Sequence, residues 1–189
     1  IKGIYRRSGS VRQSLYALVE AVKAMEEPIE TIYVDGSGDT GSEFLKEAAK
    51  VDLPFKLVPV YGQKGASRRH WSGGKRAEEL FANARAENWM SVRERLRKTY
   101  ERRELGFEYP DDECASLPVD TQLQNELCMV QMEYNEVGKI KIESKGKIRE
   151  RGGKSPDVAD AVVLAYAVMP TLPMGPGRFA PRGSHQGRR

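Results

Sequence analysis

The chain has 189 residues, enough for one domain with a real core, and its 39% hydrophobic and 31% charged content is that of a water-facing globular protein. No apolar run approaches the roughly 18 residues that span a bilayer, and Cys114 and Cys128 lack the Cys-x-x-Cys spacing of a zinc site or a disulfide framework. A net charge of +4 and a pI near 9.0 point towards a polyanionic partner and an intracellular, reducing setting is expected.

In chain order, Lys2 to Arg7 reads as a strand fragment stopped by Ser8-Gly9. Ser10 is placed to cap a helix whose Val11, Leu15, Leu18, Val19 and Val22 follow the helical period, and Pro28 closes that unit. Ile29 to Asp35 is a β-branched and aromatic strand bounded by glycine, Thr40 to Lys50 a helix, and Phe55 to Tyr61 a third strand. This alternation predicts an α/β sheet with helices packed against it. A Gly/Ser-containing loop from Gly62 to Lys75 carries Lys64, Arg68, Arg69, His70 and Lys75, with Arg76 at its end. Such a basic loop suits contact with phosphates, which positions nucleic acid without reading its sequence. A single long helix is expected from Arg76 to about Glu101, and a short one from Val119 to about Cys128 with Val119, Leu123 and Leu127 as its stripe. Met129 to Asn135 and Lys139 to Glu143 form a hairpin turning near Gly138, and Ser144 to Arg151 forms a basic helical turn. The last helix has Ser155 as its expected N-cap and Pro156 at its first position, and runs apolar through Val168. From residue 170 to 189 glycine, proline and arginine dominate, so a disordered basic tail is expected after a domain covering residues 1–169.

Three carboxylates stand out. Asp35 ends the best strand, and Asp157 and Asp160 lie three residues apart on one face of the last helix. Each has a plain structural explanation: a turn at Asp35-Gly36-Ser37-Gly38, and helix-dipole stabilisation of acids in a first turn, about 0.3–1 kcal/mol each. Gly36-x-Gly38-x-x-Gly41 also matches the dinucleotide fingerprint, but the acid expected at the end of the next strand is absent from Val58-Pro59-Val60-Tyr61-Gly62. No phosphate-binding Gly-x-x-x-x-Gly-Lys-Ser/Thr occurs, and neither His70 nor His185 forms a nucleophilic pairing with Ser or Cys. Carboxylates hold hard cations, and two such ions hydrolyse a phosphodiester without a covalent nucleophile.

Four blocks, Val34-Asp35-Gly36-Ser37-Gly38, Asn83 to Trp89, Lys139 to Lys145 and Arg151 to Ala161, come in an order that resembles the C-terminal nuclease domain of the large terminase subunit of tailed bacteriophages. The resemblance spans roughly residues 1 to 168 and is most specific in its last block. It implies a ribonuclease-H-like fold, a mixed central sheet flanked by helices, and a metal-dependent endonuclease that cuts concatemeric phage DNA during packaging. It implies Asp35 and Asp160 as metal-binding catalytic acids with Asp157 beside them and Mg2+ or Mn2+ as the cofactor; the basic loop, on its charge alone, is expected to set Lys64, Arg68, Arg69, Lys75 and Arg76 against the DNA backbone. The implied partners are double-stranded DNA, a portal protein and a small terminase subunit, without a membrane, in the cytoplasm of an infected bacterium. The family's first acid lies on a strand upstream of the segment that Lys2 to Arg7 resembles, so the sheet is expected to lack its first strand and the site one ligand. Two alternatives stay open: another ribonuclease-H-like nuclease, such as a resolvase or transposase core, and a non-catalytic module that docks DNA or a portal.

Overall fold

The computed structural model describes residues 9–71 and 73–167; the strand expected at Lys2 to Arg7 and the tail from residue 170 lie outside them. The first half is a strand–helix–strand unit. Helix α1 (Val11–Lys23) begins at Ser10, whose hydroxyl accepts from the Gln13 amide while the Gln13 side chain accepts from the Ser10 amide, a reciprocal cap. Strand β1 (Thr31–Asp35) lies parallel to β2 (Lys56–Val60), with Thr31 opposite Lys56 and Asp35 opposite Val60. Helix α2 (Gly38–Ala48) makes the crossover between them and packs on α1. Gly41 explains how closely α2 sits on the end of β1: a Cβ there would lie 2.2 Å from the Asp35 carbonyl oxygen. The third glycine of the rejected dinucleotide pattern is therefore needed for helix–strand contact, whatever the ligand.

The helix expected from Arg76 onward is two helices, α3 (Ala77–Leu80) and α4 (Ala84–Glu104). Phe81 turns extended between them, and the Ala82 amide donates to the Ile140 carbonyl at 2.8 Å instead of continuing the helix. Asn83 restarts it, its side-chain oxygen accepting from the Ala86 amide at 2.9 Å. The first half of α4, Ala84 to Val92, is buried except for Arg85, whereas its second half is a solvated, charge-paired rod. Helix α5 (Thr121–Met129) begins at Asp120, whose carboxylate accepts from the Leu123 amide at 2.8 Å. Val119 thereby falls outside the helix and is fully exposed, so Leu123, not Val119, anchors α5 in the core.

Strands β3 (Met132–Tyr134) and β4 (Ile140–Ile142) form the expected antiparallel hairpin. Among the described residues the strands make two separate two-stranded sheets, where the sequence suggests one. Helix α6 (Lys145–Glu150) starts at Ser144, whose hydroxyl accepts from the Lys147 amide. Helix α7 (Asp157–Ala165) closes the core of Phe81, Trp89, Val92, Leu123, Ile142 and Val162. Its cap differs from the expected one. Pro156 holds the N-cap position, and the Ser155 hydroxyl donates to Asp157 Oδ1 at 2.6 Å instead of receiving a helix amide. The amides of Val158 and Ala159 donate to one carboxylate oxygen of Glu126, on α5, at 2.8 and 2.9 Å. A tertiary contact thus does the work that sequence assigns to a local side chain.

Candidate active-site cavity

Asp35 and Asp160, far apart in sequence, line one cavity of about 400 Å3 together with Arg85, Asn88, Trp89 and Lys145. Asp35 is carried there by the last residue of β1, at the carboxyl end of the parallel pair, where ligands of open α/β sheets gather. Its Oδ1 accepts from the Ser37 amide at 2.9 Å, which fixes the carboxylate over the start of α2. Asp160 arrives from the other side, in the first turn of α7, and is held by two donors, with the Arg85 guanidinium close by. Trp89 Nε1 donates to its Oδ1 at 3.2 Å, Lys145 Nζ lies 2.9 Å from its Oδ2, and Arg85 Nη2 lies 3.7 Å from Oδ1.

Asp157 does not line the cavity. Its side chain is 74% exposed and reaches the site only through Lys145, whose Nζ is 3.3 Å away. The Lys145 ammonium therefore bridges the two helical acids. Burial alone would lower its pKa; the hydrogen bond and charge of Asp160, followed by those of Asp157, overcome this and hold it above the usual lysine range. The Asp157 carboxyl is pulled the other way: burial would raise its pKa, but the Ser155 hydroxyl and Lys145 hold it below its ordinary value.

Arg85 is the residue that sequence reasoning passes over. Its Nη1 donates to the Glu143 carbonyl at 2.7 Å, while its buried Nη2 has no hydrogen-bond partner. A guanidinium N–H left unpaired inside a cavity with acids is a ready donor to an incoming oxyanion. The available signal is its position: Arg85 is one turn before Trp89 on a helix face that is otherwise buried. Glu143 in turn is locked in place, accepting from the Gln131 amide at 2.7 Å and from the Arg151 guanidinium, so the end of β4 fixes both Arg85 and the start of α6 with Lys145.

The predicted DNA-contacting residues divide. Lys64 stacks over the Tyr61 ring at 4.5 Å, and Arg68 and Arg76 are exposed, weakly paired with Glu78. Lys75 is exposed. Arg69 is partly consumed: it lies 3.4 Å from the buried Glu87 carboxylate and 4.7 Å over the Trp71 ring. The loop itself is pinned rather than loose. Arg85 N donates to the Gly62 carbonyl, Ala84 N to Lys64, Glu78 N to Ser67 and Ala77 N to Arg69.

The donor set bears on whether a divalent ion suits the cavity. Carboxylate oxygens are the ligands such ions take, and the Lys145 ammonium already holds a positive charge between Asp160 and Asp157. Among the described residues, however, no three acidic, histidine or cysteine side chains converge on one point. The cavity supplies two carboxylates, from Asp35 and Asp160.

Asp35, at the end of a strand of the parallel β-α-β unit, and Asp160, in the first turn of α7, thus meet in one cavity, and solved structures share the fold that brings them there. The chain is similar to the nuclease domain of the large terminase subunit gp2 of bacterial virus Sf6, with a TM-score of 0.68 and 18% identity over 84% of this chain and 71% of that one. A lysine-to-alanine variant of that domain with manganese matches with a TM-score of 0.71 and 18% identity, over 84% and 72% of the two chains. The same variant with manganese and beta-thujaplicinol matches at 0.69 and 17%, over 84% and 71%. No protein-family model and no curated relative matches the sequence.

Proposed function

We propose that this chain is a divalent-metal-dependent endonuclease domain of the large-terminase type, hydrolysing phosphodiesters of double-stranded DNA during phage genome packaging. The observation that carries the reading is the meeting of Asp35 and Asp160 in one cavity that also holds a lysine and an arginine with an unpaired N–H. The fold supports it, and so does the manganese bound by the Sf6 domain.

Asp35 and Asp160 are the residues to hold Mg2+ or Mn2+, with Asp157 as an outer acid. When bound, the ion supplies an activated water and neutralises charge on the reacting phosphate. The chain's own groups do the rest. Trp89 holds Asp160 by its Oδ1, so that the carboxylate keeps one orientation. Arg85 offers its unpaired Nη2 to a phosphate oxygen, aimed by the anchor of its other nitrogen on Glu143. Lys145 balances the charge of the two helical acids in the absence of a metal cation. Lys64 follows Gly62 and Gln63 of the cavity lining in the chain, and the exposed Arg68, Lys75 and Arg76 of the same loop take backbone phosphates farther along the duplex. In this reading the portal and the small terminase subunit are the assembly partners, in the cytoplasm of an infected bacterium.

The docking-module reading draws on one observation, the convergence of only two acids among the described residues. Calorimetric titration with Mn2+, paired with cleavage of plasmid DNA, separates the two. The nuclease reading expects Mn2+ binding that Asp35→Asn and Asp160→Asn each weaken, with cleavage lost and circular dichroism unchanged. Undiminished cutting by either variant refutes the site; DNA binding without any Mn2+ uptake favours docking.

A further inference from the structure

A second cavity lies along α4, beside a different set of its residues from those that line the cavity of Asp35 and Asp160. It measures about 360 Å3 and is lined by Arg69, Trp71, Ser91, Arg95 and Lys98, among others. Helical spacing puts Ser91, Arg95 and Lys98 on one face of α4 and Arg85 and Trp89 on another, so the two cavities share a helix but no lining residue.

The cations in this second cavity are unequally satisfied. Arg97 is held by Glu94 and Glu101, and Lys98 by Glu113. Arg69 shares the Glu87 carboxylate with the amide and hydroxyl of Ser67, both of which donate to it at 2.6 Å. Arg95 has no carboxylate partner among the described residues. One of its nitrogens donates to the Asp112 carbonyl, its guanidinium stacks over the Tyr166 ring at 5.3 Å, and its buried Nε is unpaired. Burial pushes the Arg69 guanidinium below its ordinary pKa; Glu87 opposes the shift, and the charge of Arg95 adds to it. Two guanidiniums that line one cavity, one of them without a carboxylate partner among the described residues, are relieved together by an anion placed between them.

We propose that this pocket binds a phosphate group, either a backbone phosphodiester of nucleic acid or the phosphate of a free nucleotide. Arg95 and Arg69 are the contacts, and Lys98 lends positive charge from the cavity wall, where Glu113 holds its ammonium. Arginine suits the role because its planar fork matches two phosphate oxygens. A polynucleotide source draws on Arg68, whose side chain is 81% exposed and which precedes Arg69 in the chain. The site rests on no step of cleavage, and its test needs neither a divalent ion nor a reacting phosphate.

Inorganic phosphate titrated into the isotope-labelled chain without metal is expected to move the amide signals of Arg69, Trp71, Ser91 and Arg95 together and saturably. Arg95→Gln is expected to weaken that binding roughly tenfold, the equivalent of one charge-assisted hydrogen bond. Should Arg95→Gln lose its fold, the shift map of the unaltered chain and a Lys98→Gln variant decide instead. Signals that move only around Arg85 and Asp160, or phosphate affinity that Arg95→Gln leaves unchanged in a folded protein, would overturn the proposal. Two further arms identify the source. If it is nucleic acid, Arg95→Gln reduces the salt dependence of duplex binding by about one released counterion. If it is a nucleotide, a nucleoside monophosphate moves the same signals while duplex binding stays as it was.

Discussion

Replacing Glu126 by alanine is the sharpest test of how the candidate site is held. Glu126 is 7% exposed, and one of its carboxylate oxygens accepts the amides of both Val158 and Ala159, while Gln122 Nε2 donates to the other at 2.7 Å. Alanine leaves two buried N–H groups without a partner, at about 1–3 kcal/mol each, and takes a negative charge from a helix N-terminus, worth about 0.3–1 kcal/mol. Water entering the space offsets part of this, so the expected loss is about 2–4 kcal/mol. In a domain of this size each kcal/mol shifts Tm by roughly 2–4 °C, which gives a fall on the order of 5–15 °C. Glu126→Gln keeps an acceptor oxygen in the same place and is expected to lose only about 1 kcal/mol. Urea unfolding followed by fluorescence measures both. Because α7 carries Asp160, Mn2+ affinity is expected to fall with stability in the alanine variant and recover in the glutamine one. An alanine variant within about 0.5 kcal/mol of the parent, a difference typical of inert surface changes, would refute the capping role.

Gly41→Ala puts a Cβ 2.2 Å from the Asp35 carbonyl oxygen; the forced shift is expected to cost about 1–3 kcal/mol, outweighing the roughly 1 kcal/mol that alanine gains in helix propensity, as thermal unfolding will show. The Glu143 carboxyl is held below its ordinary pKa, first by the Arg151 hydrogen bond, with burial opposing and the Gln131 amide assisting. Its stabilising contribution is therefore fully present above the usual glutamate pKa and is lost as pH falls through the lower folded value. Unfolding measured across acid pH should find Glu143→Gln clearly less stable than the parent at neutrality and the gap closing below the ordinary glutamate range; a constant gap would contradict this. Lys145→Ala removes the ammonium that occupies Asp160 and Asp157, so Mn2+ affinity measured by calorimetry should rise by roughly tenfold, the scale of one charge-assisted contact.

The elements with local signals were legible in the sequence. Ser10 and its Gln13 partner announce α1, the β-branched run Thr31 to Val34 announces β1, and the turn at Gly138 announces the hairpin. What sequence misreads is decided by distant partners. Apolar residues at helical spacing run through Phe81, yet Ile140 draws that segment into a bridge, and Asn83 marks the restart only once the break is known. Ser155 has the identity of a cap, but Pro156 takes its place and Glu126 supplies the acceptor from another helix. At the site, Asp35 and Asp160 were both legible as acids at element ends. Arg85 was not, because nothing local distinguishes an arginine whose N–H is buried and unpaired from one that is solvated.

Burial separates the acids that build the fold from those free to do chemistry. Glu87, Glu126 and Glu143 are each less than a tenth exposed, and each is taken up by donors: Ser67 and Arg69, two α7 amides and Gln122, Gln131 and Arg151. A carboxylate so occupied has few lone pairs left for a ligand, and removing its donors leaves a buried charge. Asp35 and Asp160 keep solvent access, and Asp35 is bound by a single described hydrogen bond, from Ser37. Asp160 is held by a tryptophan N–H and by Lys145, whose long side chain can swing away as another cation arrives. The same chemical group thus serves as scaffold in the three glutamates and as candidate ligand in the two aspartates. Substituting the glutamates should lower stability, and substituting the aspartates should lower metal binding with little loss of stability. An Asp35→Asn or Asp160→Asn variant that unfolds like Glu126→Ala would place that aspartate in the scaffold and remove it from the site.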